Sequence, residues 1–155
     1  MNFYYCVGYH FSRLAGRLLF RFRVIHRERM IQSGPVILAM NHQSYLDPPL
    51  AGTACDRPIY FLARRTLLDV PLLGRILPKL NVIPVNQEGV DRSAIKAVIR
   101  VLQAGNGVLV FPEGSRTLDG KIQAAEPGLV AGKDDIGLIP VNALTCVFGL
   151  LRRSG

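Results

Sequence analysis

Apolar side chains at Phe3, Val7, Phe11, Leu14, Leu18, Phe22 and Ile25 recur every three or four residues, the spacing that gathers one stripe along a helix. The spacing predicts an amphipathic helix occupying residues 1–30. Beyond it the pattern changes to short apolar runs separated by turn residues. Pro35–Met40, set off by Ser33-Gly34, then Ile59–Leu62 after Arg57-Pro58, and Val82–Val85 each read as a strand. Asp47-Pro48-Pro49-Leu50 reads as a helix start, with Asp47 at the N-cap and Pro48 at the first helical position. Pro71, Pro78 and the intervening Leu72-Leu73-Gly74 read as an apolar loop. Asp91 to Ala104 carries Ala94, Ile95, Val98, Ile99 and Leu102 at helical spacing and is closed by Gly105, which makes a second helix. Val108–Phe111 follows as a strand that pairs in parallel through the crossover. Strands alternating with helices predict an α/β fold: a mixed, largely parallel sheet flanked by helices, with the amphipathic helix at the N-terminus.

Charge changes the picture at the first helix. The chain has a net charge of +8, and its first 30 residues hold Arg13, Arg17, Arg21, Arg23, Arg27 and Arg29 against Glu28 alone. On a helix Arg13, Arg17 and Arg27 face away from the apolar stripe, and that arrangement suits an anionic membrane surface. The other reading packs the stripe on the chain's own domain and leaves a solvated basic face. Nucleic acid is not favoured as a partner, since no recognised binding module is present. At 155 residues the chain fits one domain able to bury a core. A hydrophobic content of 49% and mean hydropathy of +0.24 are apolar for a soluble protein and suit a membrane-associated domain, or an incomplete one with an open core edge. The longest charge-free stretch, Ile136 to Leu151, is 16 residues and contains Pro140 and Asn142, less than the roughly 20 residues a spanning helix needs. It reads as a strand and an apolar tail. The N-terminus lacks the compact apolar core and cleavage site of a secretory signal. Cys6, Cys55 and Cys146 are scattered, without a C-x-x-C pair, so neither a disulfide framework nor a zinc site is indicated. A reducing, cytoplasmic membrane face is the expected compartment.

Two short motifs carry chemistry. In Asn41-His42-Gln43-Ser44-Tyr45-Leu46-Asp47, His42 is a general-base candidate, and a carboxylate on its far nitrogen would fix the tautomer and aim the ring. Asp47 is the nearest such group. Their separation is too long for one helix turn and suits a loop between a strand and a helix. The plainer role for Asp47 is as a cap. Phe111-Pro112-Glu113-Gly114-Ser115-Arg116-Thr117 follows the last strand, at the edge where open α/β sheets carry their sites. Arg116 is a fork of donors matched to phosphate, and Gly114 lets backbone amides approach an anion. Alternatively, Glu113 and Arg116 pair with each other at a surface turn.

With these residues the chain resembles the glycerolipid acyltransferases, which include 1-acylglycerol-3-phosphate acyltransferase. Asn41-His42 to Asp47 matches the family's N-H-x-x-x-x-D signature and Phe111 to Thr117 its F-P-E-G-T/S-R signature. Leu80 to Gln87 is similar to the third block and Ile139-Pro140-Val141 to the fourth, so the resemblance runs from about Gly34 to Val141. It implies transfer of a fatty acyl group from acyl-CoA or acyl carrier protein to a lysophospholipid hydroxyl at a membrane surface. His42 would act as base with Asp47 orienting it. Glu113, Gly114, Ser115 and Arg116 would form the acceptor-binding block, with Arg116 on the glycerol phosphate. Arg64 stands where relatives have a phosphate-binding lysine, although a solvated surface arginine fits it as well. No cofactor or metal is implied, because a thioester is already activated and base catalysis with electrostatic stabilisation suffices. The loop around Leu72 would either pack in the core or admit an acyl chain.

The resemblance also has departures. Gln87 stands where relatives carry an arginine, with Arg92 or Arg65 as substitutes, and residues 128–140 form a poor helix sequence where the family has a helix. Relatives continue well beyond the fourth block, so the expected organisation is a membrane-surface helix at 1–30 and an acyltransferase domain at 31–155, short at its C-terminus. A non-catalytic or truncated membrane-binding relative is the alternative. Other enzyme classes are not indicated: G-x-S-x-G, H-E-x-x-H and G-x-x-x-x-G-K are absent from the sequence.

Overall fold

A computed structural model describes residues 2–117, apart from His26, Gln87, Glu88 and Val90, together with Lys121. The expected fourth block, the apolar tail and Cys146 lie outside the described residues. In chain order the elements are α1 (Phe3–Phe20), β1 (Val36–Ala39), α2 (Asp47–Ala54), β2 (Ile59–Arg64), α3 (Pro71–Ile76), β3 (Val82–Val85), α4 (Arg92–Gln103) and β4 (Gly107–Val110). The four strands form one sheet in the order β1-β4-β2-β3, and every pairing among the described residues is parallel. A parallel sheet must be covered on both faces.

The two-residue period of the strands sorts their side chains accordingly. Ile59 and Phe61 of β2, Leu109 of β4 and Leu38 of β1 join Tyr5, Ala51 and Cys55 beneath α1 and α2. Tyr60 and Leu62, Val108 and Val110, and Ile37 join Ala94 and Val98 of α4 on the other face. β4 sits between β1 and β2, and all four of its residues are buried. The chain passes over that position between β1 and β2 and returns to fill it last. Helix α4 starts as its pattern predicts: the Asp91 carboxylate accepts the amides of Ser93 and Ala94 at 3.0 Å each. Bonds from the Ser93 hydroxyl and the Asn86 and Ala94 amides hold that carboxyl well below the usual carboxylate range.

Three expectations change. The N-terminal helix stops at Phe20 rather than running on past Ile25, because Arg21 turns left-handed with φ 49° and the Phe22 amide folds back onto the Gly16 carbonyl at 2.9 Å. A side chain at position 16 would meet Leu50 at 3.1 Å and Phe22 at 3.3 Å, so the absence of one permits this return. Arg27, expected to face away, instead bonds the carboxylate of Asp56 and the Tyr9 hydroxyl. The supposed apolar loop at 71–78 is α3 followed by a 3-10 turn over Leu77–Leu80. Both prolines lie in first turns, where a missing N–H leaves no bond unmade. Leu72 and Ile76 there are exposed.

Helix α1 packs by the face opposite its stripe. Tyr5 and Gly16 are buried, whereas Phe3, Val7, Phe11, Leu14 and Leu18 are each more than half exposed. The Tyr5 hydroxyl accepts the Ile59 amide at 3.1 Å inside the core. Burial pushes this hydroxyl up to about 12 from its ordinary 10, outweighing the opposite effect of the Ile59 bond. Tyr5→Phe leaves that amide unpaired and should cost about 1–3 kcal/mol at neutral pH, as read by urea denaturation. Tyr5 favours the fold fully below pH 10 and loses that contribution between pH 10 and about 12. The gap between wild type and variant should therefore narrow over that range. Equal midpoints at pH 7 would mean that the Ile59 amide finds another partner.

Candidate active site

β1 and β4 lie side by side and in register, from Val36 opposite Gly107 to Ala39 opposite Val110. The segments leaving their C-terminal ends therefore start together, and the Met40 amide still donates to the Val110 carbonyl at 3.2 Å. This brings together residues separated by about seventy positions. The second segment grips the main chain of His42 on both sides: Glu113 Oε1 accepts its amide at 3.3 Å, and the Thr117 amide donates to its carbonyl at 2.8 Å. The Phe111 ring lies against the imidazole, with centroids 4.1 Å apart and planes 23° from parallel.

Asp47 supplies the other restraint. Its carboxylate is buried, and Oδ2 meets His42 Nδ1 at 2.9 Å and accepts the Gln43 and Ser44 amides at 2.7 Å each. An acceptor at Nδ1 selects the tautomer that carries its proton there and leaves Nε2 basic. The imidazole keeps 17% of its side-chain surface exposed. Asp47 is not an N-cap. It is the first residue of α2, preceded by Leu46 in helical conformation with no side-chain cap. The amides ahead of it explain why: Pro48 and Pro49 have none, and that of Leu50 is taken by the Leu46 carbonyl at 3.0 Å. The carboxylate turns back to the donors that remain.

The segment after β4 departs from expectation in two places. Glu113 is buried, and its Oε1 accepts the His42 amide, so it braces the loop of the candidate base. Gly114 takes a left-handed φ of 64°, which suits glycine. Its amide bonds the Phe111 carbonyl at 3.0 Å, and the Ser115 amide bonds the Glu113 carbonyl at 2.7 Å. Both amides are thus used within the turn, and the Arg116 side chain supplies a fork of donors that an anion can meet. Gly114 and Ser115 are exposed beside it. Arg64 is the exposed last residue of β2, at the same sheet edge, because all four strands end there. Arg65 and Arg92 are also exposed, and Gln87 lies outside the described residues.

Sequence reasoning assigned no role to three residues that build this site. Phe111 stacks on the imidazole, Thr117 holds its carbonyl, and Tyr45 lies under Arg116, with the guanidinium carbon 3.6 Å from the ring centroid. All three fall inside the two motifs, and only the strand register shows what they touch.

The family model described as Acyltransferase matches residues 21–143. The crystal structure of the 1-acyl-sn-glycerophosphate (LPA) acyltransferase of Thermotoga maritima is similar, with a TM-score of 0.64 and 27% identity, over 82% of this chain and 52% of that one. A 1-acyl-sn-glycerol-3-phosphate acyltransferase of Borreliella burgdorferi is 29% identical over 74% of this chain and 48% of its own length. One of Chlamydomonas reinhardtii is 32% identical over 71% and 34% respectively. The chain spans about a third to a half of the length of the curated relatives it matches. With the two motifs joined at one sheet edge and a family match over most of its length, the chain belongs to the acyltransferase family.

Proposed function

We propose that this protein transfers a fatty acyl group from a thioester, on coenzyme A or acyl carrier protein, to the hydroxyl of a lysophospholipid. The favoured acceptor is 1-acylglycerol-3-phosphate, which yields phosphatidic acid. The reading is carried by the bond between His42 Nδ1 and buried Asp47 at 2.9 Å, beside an arginine held over the same loop. The names of the relatives support the acceptor.

In this mechanism Nε2 of His42 removes the proton of the acceptor hydroxyl as its oxygen attacks the thioester carbonyl. The imidazolium so formed is stabilised by Asp47 without moving, since the carboxylate already holds Nδ1–H. Collapse of the tetrahedral intermediate breaks the carbon–sulfur bond, and the thiolate takes the proton back from His42. The ester and a free thiol result, and no acyl-enzyme forms. Arg116 binds the acceptor phosphate, with Ser115, Gly114 and Arg64 around the same edge. Glu113 keeps His42 in place.

The same proposal puts the protein on a membrane surface, at the cytoplasmic face. The exposed stripe of α1 supports contact with lipid, and Arg17 on the same helix supports contact with anionic headgroups. No helix among the described residues is long and apolar enough to cross a membrane.

Three outcomes are expected. His42→Ala should lower acceptor-dependent release of free thiol from acyl-CoA by at least about a hundredfold with the fold retained by circular dichroism; persistence of turnover would refute the base assignment. Arg116→Ala should raise KM for lysophosphatidate by about tenfold or more, as for the loss of a charge-assisted bond, and an unchanged KM would remove its role. The double variant Phe11→Ser with Leu18→Ser should reduce sedimentation with phosphatidylglycerol vesicles by about tenfold or more, with Tm unchanged because both side chains are exposed in water. Undiminished sedimentation would place the membrane contact elsewhere.

A further inference from the structure

Tyr45 is 71% exposed, in the loop that also carries His42 and Asp47. Burial therefore does not account for its position. The loop beneath it is tightly determined: Asp47 Oδ2 takes the Gln43 and Ser44 amides, the Leu46 amide donates to Ser44 Oγ at 3.1 Å, and the Asp47 amide donates to the Ser44 carbonyl at 3.2 Å. The ring is held out at the tip of this turn, and the Arg116 guanidinium carbon lies 3.6 Å from its centroid.

A guanidinium stacked on a ring uses its face for that contact and keeps its N–H donors, which lie in its own plane, available for bidentate bonding to an anion. Stacking also limits the rotamers of a side chain that is otherwise costly to immobilise. We infer that Tyr45 is a positioning residue for the acceptor, holding Arg116 so that its edge meets the phosphate of a lysophospholipid within reach of His42. The same short turn then sets both the imidazole and the anion-binding arginine, and with them the distance between reacting hydroxyl and headgroup. This inference rests on the acceptor reading proposed above.

The experiment compares Tyr45→Ala, Tyr45→Leu and Tyr45→Phe with wild type on lysophosphatidate and on 1-monoacylglycerol, which has the hydroxyl without the phosphate. Binding of lysophosphatidate in detergent micelles is measured in parallel in the His42→Ala background, where no turnover is needed. Tyr45→Ala and Tyr45→Leu should raise KM and weaken binding of lysophosphatidate about two- to fivefold, the range for an exposed cation–π contact. Their kcat should stay within about twofold of wild type, and their use of monoacylglycerol should not change. Tyr45→Phe should restore both parameters. In an Arg116→Ala background the Tyr45 substitutions should add no further loss. Unchanged lysophosphatidate binding in Tyr45→Ala, or equal defects in the Phe and Ala variants, would overturn the inference. A wild-type chain that binds lysophosphatidate through Tyr45 but releases no thiol would instead sink the catalytic reading and leave this one standing.

Discussion

The buried carboxylate of Asp47 is the group on which the site depends. An ionised side chain removed from water needs donors close at hand, and here a single oxygen collects the His42 ring nitrogen and the amides of Gln43 and Ser44. Satisfying it bends residues 43–46 into one turn, so electrostatic need fixes the backbone. The same contacts select the tautomer of His42. Asp47 also opens α2, where the helix dipole favours a negative charge. The two prolines behind it take away the donors it would otherwise cap. Loop shape, imidazole tautomer and helix start therefore follow from one residue placed before Pro48-Pro49.

That turn could not serve a site without the sheet beside it. β4 lies between β1 and β2 although it follows both in the chain, and parallel in-register pairing makes its end coincide with that of β1. The consequence is a grip on His42 from residues 71 and 75 positions away in sequence, through the Glu113 carboxylate and the Thr117 amide. Glu113 is more useful inward than outward for this reason. The half-buried His42 amide lies beyond the ladder and takes the carboxylate as its acceptor, as an amide shielded from water needs a partner.

What the sequence made legible follows the range of the interactions concerned. The four strands β1–β4 and α4 were read correctly because burial on two faces or one writes a period directly into the residues. The His42–Asp47 pair was legible for a similar reason, since it closes within one loop. The end of α1 was not, because the left-handed turn at Arg21 is held by packing of Phe22 and Leu50 against Gly16, none of which is a local stop signal. Helix α3 was hidden by prolines that mark loops as often as first turns. Arg116 was singled out for its chemistry, whereas its contact with Tyr45 and the stacking of Phe111 on His42 required the register of β1 against β4.

The packing of α1 links the candidate lipid-facing surface to this chemistry. Its inner face places Tyr5 and Tyr9 against the cluster that contains Phe61 and Leu109, and Met40 and Phe111 pack on the same cluster. Phe111 is the ring that lies on His42. The outer face keeps its apolar stripe in water, which is unfavourable by the measure that drives core formation, although Tyr5 satisfies a buried amide of β2 on the inner one. Rotating the helix to bury the stripe would withdraw that hydroxyl and its bond. A close-packed interior transmits such a constraint with little compliance. The exposed stripe and the imidazole are thus held by one continuous core, and the distance between them is a property of the fold.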